Sequence, residues 1–178
     1  MHGKRAGPVV LLALVVAGAG GWAQANDRLG SHLQLHYSQF DEAENEGFGI
    51  AGSWRHDRWR VFGEYTRYDF NELAIFGGGF AVIDDGDLQA ELGLGYQDVE
   101  LAEDGAVGAH LVVNHPLTPA THLSGKLGYL VYDDIADQPL LGVGIEYRYN
   151  DEISAFANFE NQTERRALLF RLGLRWSW

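Results

Sequence analysis

From Arg166 to Trp178 the chain reads RALLFRLGLRWSW, and every second residue from Leu168 is apolar. The oily set is Leu168, Phe170, Leu172, Leu174, Trp176 and Trp178; between them stand Leu169, Arg171, Gly173, Arg175 and Ser177. Side chains of an extended chain point alternately to opposite faces, so this period of two predicts a β-strand with one apolar face. The same rhythm runs back to Gly30. Strand-like runs of roughly ten residues alternate with polar breaks, and about ten such runs are expected. They are Gly30–Phe40, Gly47–Arg55, Arg58–Arg67, Leu73–Ile83, Asp87–Gln97, Gly105–His115, Thr121–Tyr132, Pro139–Tyr149, Glu152–Glu160 and the closing strand. Leu73–Ile83 is the weakest of them, because Gly77, Gly78 and Gly79 supply no side chain to pack. Losing it and one other run would leave eight strands.

Two regularities favour a closed barrel over a soluble sandwich. The breaks fall into two alternating sets. His56-Asp57, Asp84–Asp87, His115–Ala120 and Asn150-Asp151 are mostly tight, whereas Asp41–Glu46, Asp69–Glu72, Asp98–Asp104, Asp133–Gln138 and Asn161–Arg165 are usually longer and acidic. Short turns at one end and longer loops at the other are the pattern of outer-membrane barrels. The aromatic residues also sort by depth. Trp54, Trp59, Tyr147, Tyr149, Trp176 and Trp178 fall near the short-turn end, and Tyr37, Tyr65, Tyr96 and Tyr129 toward the loop end. Two aromatic belts around a Leu/Val/Ile/Ala band suit two lipid–water interfaces. The expected fold is all-β: a closed antiparallel up-and-down transmembrane barrel of about ten strands, with eight as the second choice.

In that fold the polar face of each strand lines the lumen. Arg60, Glu64, Glu91, Lys126, Glu146, Arg148, Glu160, Arg171 and Arg175 point inward, with His110 among them. Both signs occur, so paired charges are expected, since an unpaired buried charge costs several kcal/mol. Long side chains can largely fill so narrow an interior.

The amino terminus adds an export route. Lys4 and Arg5, the apolar run Pro8–Gly21 and Ala23-Gln24-Ala25 make a cleavable secretory signal over 1–25, leaving 26–178 as the barrel domain. Losing Lys4 and Arg5 leaves 11 basic against 25 acidic residues, a net charge of −14. So acidic a chain excludes nucleic acid as a partner. The absence of cysteine excludes disulfides and thiolate metal sites.

With these features in place, the chain resembles the small outer-membrane β-barrel proteins of Gram-negative bacteria, of the OmpA/OmpX-like class. The likeness rests on the signal, the alternating hairpins and the terminal LGLRWSW. It implies the outer membrane as location, with its lipids and lipopolysaccharide as surroundings. It also implies that Leu172, Leu174, Trp176 and Trp178 form the signal read by the barrel assembly machinery. Loops this short depart from the adhesin-type members.

Candidate chemistry is sparse. His122-Leu123-Ser124 resembles the His-x-Ser of lipid A deacylases, but Gly125 replaces the asparagine that follows in them, and the pair sits near the short-turn end. His32 and His36 are about 13 Å apart on a strand, too far to share an ion, and read as lumen lining. Gly77-Gly78-Gly79 lacks the Lys and helix of a phosphate loop. The acidic loops could gather Ca²⁺ or Mg²⁺ against lipopolysaccharide phosphates, although simple solvation of an exposed surface explains them better. No catalytic, cofactor or metal site is expected. The expectation is a non-enzymatic envelope barrel with a structural or surface-interacting role; the alternative is a narrow porin-like channel, and the third reading a lipid A-modifying enzyme. The oligomeric state stays open.

Overall fold

The computed structural model describes residues 30–40, 45–69, 71–99, 104–132, 137–162 and 167–178. The regular structure among them is ten strands: β1 (His32–Phe40), β2 (Asn45–His56), β3 (Trp59–Tyr68), β4 (Glu72–Asp84), β5 (Gln89–Val99), β6 (Asp104–Pro116), β7 (Thr121–Tyr132), β8 (Gln138–Arg148), β9 (Ile153–Gln162) and β10 (Ala167–Ser177). Each pairs antiparallel with its neighbour in sequence, and β1 closes on β10 from His32↔Ser177 to Phe40↔Leu169. Closure leaves no strand edge, so the backbone donors and acceptors of the wall are satisfied within it, as hydrocarbon surroundings demand. Ten strands are present, and the eight-strand alternative falls. The Gly-rich run is a full member of the wall: Gly77, Gly78 and Gly79 pair with Phe62, Val61 and Arg60 on one side and with Gly95, Leu94 and Gly93 on the other.

Short polar side chains close the tight turns. Asp57 carries the β2–β3 turn at φ 54, a left-handed conformation that Asp tolerates better than most residues. Asp85 Oδ1 accepts the N–H groups of Asp87 (3.1 Å) and Leu88 (2.7 Å) between β4 and β5. Asn150 Oδ1 does the same for Glu152 (2.9 Å) and Ile153 (2.7 Å) between β8 and β9. The acidic stretches at the other end fall largely outside the described residues, as does the candidate signal over 1–25.

The distribution of polarity is inside out. Phe48 (74 % exposed), Leu94 (66 %) and Val143 (60 %) stand on the outer face, while Ser38 and Thr66 (0 %) and Glu91 (1 %) are buried inside. A wall that hides carboxylates and displays leucines has hydrocarbon, not water, as its outer solvent. The chain is a transmembrane β-barrel.

Among the described residues one register shift breaks the alternation. The β4–β5 register shifts between Ala81 and Ile83. The extra residue leaves Val82 and Ile83 both exposed outside, at 43 % and 41 %. It also returns Asp84 to the inner face opposite Gln89, whose Nε2 donates to Asp84 Oδ1 at 3.1 Å.

Candidate functional site

The inner wall is a set of ion pairs separated by glycines. Lys126 Nζ donates to Glu160 Oε2 at 2.9 Å, although Lys126 is on β7 and Glu160 on β9. Gly142 of β8 lies between them, opposite both. The same device recurs around the barrel. His36 on β1 and Thr66 on β3 meet at 3.0 Å across Gly49 of β2. Arg60 on β3 and Glu91 on β5 pair over Gly79 of β4, where a Cβ would collide with the Glu91 carboxylate. Ser124 on β7 and Asn158 on β9 flank Gly144 of β8. An inward glycine leaves a gap in the lumen wall one side chain wide, and residues on the two flanking strands reach into it. This is the use of the glycine-rich run in β4. Inserting extra atoms into a filled interior typically costs 1–3 kcal/mol, so Gly49→Val should destabilise the barrel by about that much in urea titrations of the protein in vesicles. Gly125→Val is the control, because it points outward with nothing within 4 Å of its Cβ. It should be neutral or slightly stabilising, as valine suits a strand.

The pairs join into a chain across the lumen. Thr66 Oγ1 donates to Glu64 Oε1 (3.2 Å), and Arg171 Nη2 lies 2.9 Å from that same oxygen. Arg171 Nη1 lies 3.9 Å from Glu160 Oε2, which also accepts from Lys126. Arg171 on β10 thus ties the β3 wall to the β9 wall. Nearer the short-turn mouth, Arg175 pairs with Glu146, Ser154 Oγ donates to Glu146 Oε1 at 2.6 Å, and Arg175 Nη2 donates to Gln34 Oε1 at 3.3 Å. Arg55 Nη2 donates to Asp84 Oδ2 at 2.6 Å at the mouth itself. Arg148 occupies an inner position at the same end, its backbone N–H donating to Ala120 O at 2.8 Å.

Two aromatic residues of the lumen escape a reading by polarity alone. The Arg60 guanidinium sits 5.0 Å from the Phe62 ring centroid, and that of Arg175 sits 5.4 Å from the Phe156 ring. Phe62 also meets His110 edge-on at 5.7 Å between ring centroids. Each ring offers a cation its negative face and fills lumen volume beside it. Between these walls lies a cavity of about 240 Å³. It runs from Lys126, Glu160 and Arg171 at mid-lumen to His32, Asn114 and Glu146 in the short-turn half.

The remaining candidates fall into place by direction. His32 and His36 both face inward and are held separately, His32 Nδ1 by Gly30 O (3.0 Å) and Ser53 Oγ (3.0 Å). His122 and Ser124 occupy successive inner positions of β7 and line the cavity, with the His122 side of the strand facing Glu146. A lipid ester outside the wall meets neither. Tyr37, Trp54, Trp59, Tyr65, Tyr96, Tyr129 and Tyr147 are on the outer register of their strands, as are Leu172, Leu174 and Trp176 of β10, and Tyr149, just beyond β8, is exposed. Tyr37 OH donates to Glu46 Oε2 at 2.5 Å on the loop side. Trp178 follows β10, its N–H donating to Ser31 O at 3.2 Å.

These features define a small ten-stranded transmembrane barrel with a charged, partly open lumen. The fold is similar to that of the KdgM porin in complex with disordered oligogalacturonate, with a TM-score of 0.59 and 9 % identity over 83 % of this chain and 99 % of that one. It is also similar to the NanC porin, with a TM-score of 0.58 and 8 % identity over 82 % of this chain and all (100 %) of the other. A second KdgM porin structure matches with a TM-score of 0.54 and 10 % identity, again over 83 % of this chain and 99 % of that one. No protein-family model matches the chain, and no curated protein matches it in sequence.

Proposed function

We propose that this chain is an integral barrel of a Gram-negative outer membrane, exported by a signal cleaved after Ala25, and that its lumen is a narrow porin-like passage for inorganic ions and small solutes. The observation that carries this reading is the cavity of about 240 Å³ walled by charged and polar side chains inside a closed barrel. The names of the similar structures, all porins, lean the same way and away from a purely structural role. Among the described residues the lumen holds Arg55, Arg60, Lys126, Arg148, Arg171 and Arg175 against Glu64, Glu91, Glu146, Glu160 and Asp84. Charges so nearly balanced give a polyanion no positive rail to follow. The solutes that fit are small and of either sign.

Catalysis has no place in this reading, since the inward His122 and Ser124 are walled from lipid. The outward tyrosines and tryptophans are the belts that hold the barrel at the two faces of the membrane. Leu172, Leu174, Trp176 and Trp178 serve as the strand recognised during assembly, and lipid and lipopolysaccharide are the lateral partners. Within this class the OmpA/OmpX-like group remains the kinship that the terminal LGLRWSW suggests.

Planar bilayers test the passage. The purified, heat-modifiable protein should carry discrete current steps in potassium chloride, altered when Lys126 or Arg175 is neutralised. A folded protein that carries no current at any potential, even with the inner apolar residues at the loop end shortened, would sink the passage and return the structural role. One observation favours that second reading: the loop end of the lumen is packed with buried Tyr68, Leu73, Leu130, Tyr132, Leu140 and Leu169.

A further inference from the structure

The lumen changes character along its axis. From the short-turn mouth to Lys126, Glu160 and Arg171 it is polar and holds the cavity. Beyond that level large apolar and aromatic side chains take over much of the inner wall, with the short or neutral polar residues Ser38, Thr66 and Gln138 buried among them. Ala106, Leu130, Tyr132 and Leu140 of β6, β7 and β8 pack as one buried cluster, each at most 7 % exposed. Tyr68 on β3, Leu73 on β4 and Leu169 on β10 occupy the same end of the facing walls, at 4 %, 4 % and 1 %. None of these seven residues lines the cavity. We infer that they form an apolar septum, that the cavity beneath it is a vestibule filled from the short-turn side alone, and that the septum is the constriction which governs permeation.

The physical reason is the cost of hydrating such a layer. A water or an ion crossing it would exchange the hydrogen bonds of the vestibule for the methyls of Leu73, Leu130, Leu140 and Leu169, so the layer is the highest barrier along the lumen and throttles ions without a plug. The neighbouring glycines let the layer close. A Cβ at Gly108 would collide with Leu130 Cδ2, and one at Gly128 would come within 3.3 Å of Leu140 Cδ2. Both leucines therefore lie flat in gaps of the wall, the arrangement that elsewhere in the lumen seats the ion pairs. The ion pairs below act as the floor on which the septum rests: Arg171 holds Glu64 at 2.9 Å next to the layer.

The inference rests on the passage proposed above, yet it can be tested apart from it. The chain has no cysteine, so a lone thiol at Ser124→Cys, in the vestibule, reports by itself. The protein is placed in vesicles and exposed to a membrane-impermeant sulfonated methanethiosulfonate from one side at a time; a separate Asn150→Cys variant, in a short turn, reports which way the barrel is inserted. Reaction from the short-turn side should be at least about tenfold faster than from the loop side. Adding Leu130→Ser with Leu140→Ser, or Leu169→Ala alone should the double variant fail the heat-modifiability gel, should bring the two rates within about twofold of each other and raise the bilayer current. Comparable rates from both sides in Ser124→Cys, a faster reaction from the loop side, or no reaction from either side would each overturn the septum. One-sided reaction that equalises on thinning, with no current in any variant, supports the septum and sinks the passage instead.

Discussion

Replacing Arg60 by methionine is expected to destabilise the folded barrel by about 3–5 kcal/mol, the cost of leaving a buried charge without its partner. Among the described residues Glu91 is the most deeply buried acid of the lumen, with 1 % of its side chain exposed, and the Arg60 guanidinium accounts for its bonds: Nε donates to Oε2 at 2.8 Å and Nη2 pairs with Oε1. Methionine keeps the length and the contact with Phe62 but removes every donor. The carboxylate is then stranded above Gly79, buried and without its donors. Urea titration in vesicles, followed by tryptophan fluorescence, should register the loss. Glu91→Gln added to Arg60→Met should restore most of it, because the amide removes the charge at nearly constant shape. A loss below about 1 kcal/mol in the single variant, the scale of an exposed pair, would show that water reaches Glu91 and that the pair does not hold the wall.

That pair also marks where the sequence stops being readable. The alternation of Leu168 to Trp178 is visible without coordinates because period two is a property of one strand. The alternation of tight turns with longer breaks, and the sorting of Trp59 and Tyr65 to opposite ends of β3, needed only the order of strands. The partner of each arginine needed more. Lys126 and Glu160 are 34 residues apart and on strands that do not pair with each other; they meet because Gly142 stands between them at one register. Gly77–Gly79, which weakens β4 as an isolated strand, is what seats Phe62 and Glu91 inside it. The inner apolar residues left a fainter trace. Leu130, Leu140 and Leu169 each sit beside an outward apolar neighbour, in YLVY, PLL and LLF, where alternation blurs near the loop end. Such blurred runs at the same end of several strands are the sequence signal of the septum. Val82-Ile83 blurs the pattern too, but for a bulge, and pairing alone separates the two causes.

The outer face leads to the second large effect. Val143 stands near the middle of β8, 60 % exposed, between Leu141 and Ile145 on the outer register. Val143→Arg places a guanidinium near the level where hydrocarbon is deepest, and there it should cost about 2–4 kcal/mol. Asn161→Arg, on the outer register at the loop end of β9, should cost only about 0–1 kcal/mol, because the charge reaches headgroups and water. The physical content is the difference between the two sites. Neither substitution touches the lumen or a turn, and both replace an exposed side chain by the same one. In a water-surrounded protein an arginine at an exposed position would be harmless at either depth, and the two variants would be equally stable. Folding into vesicles, scored by the heat-modifiable band and by urea midpoint, separates the outcomes. Equal stability of Val143→Arg and Asn161→Arg would mean that the outer leucines and valines are not wetted by lipid chains. A cost at Val143 that shrinks in thinner bilayers would confirm the depth argument, since thinning brings the guanidinium closer to water.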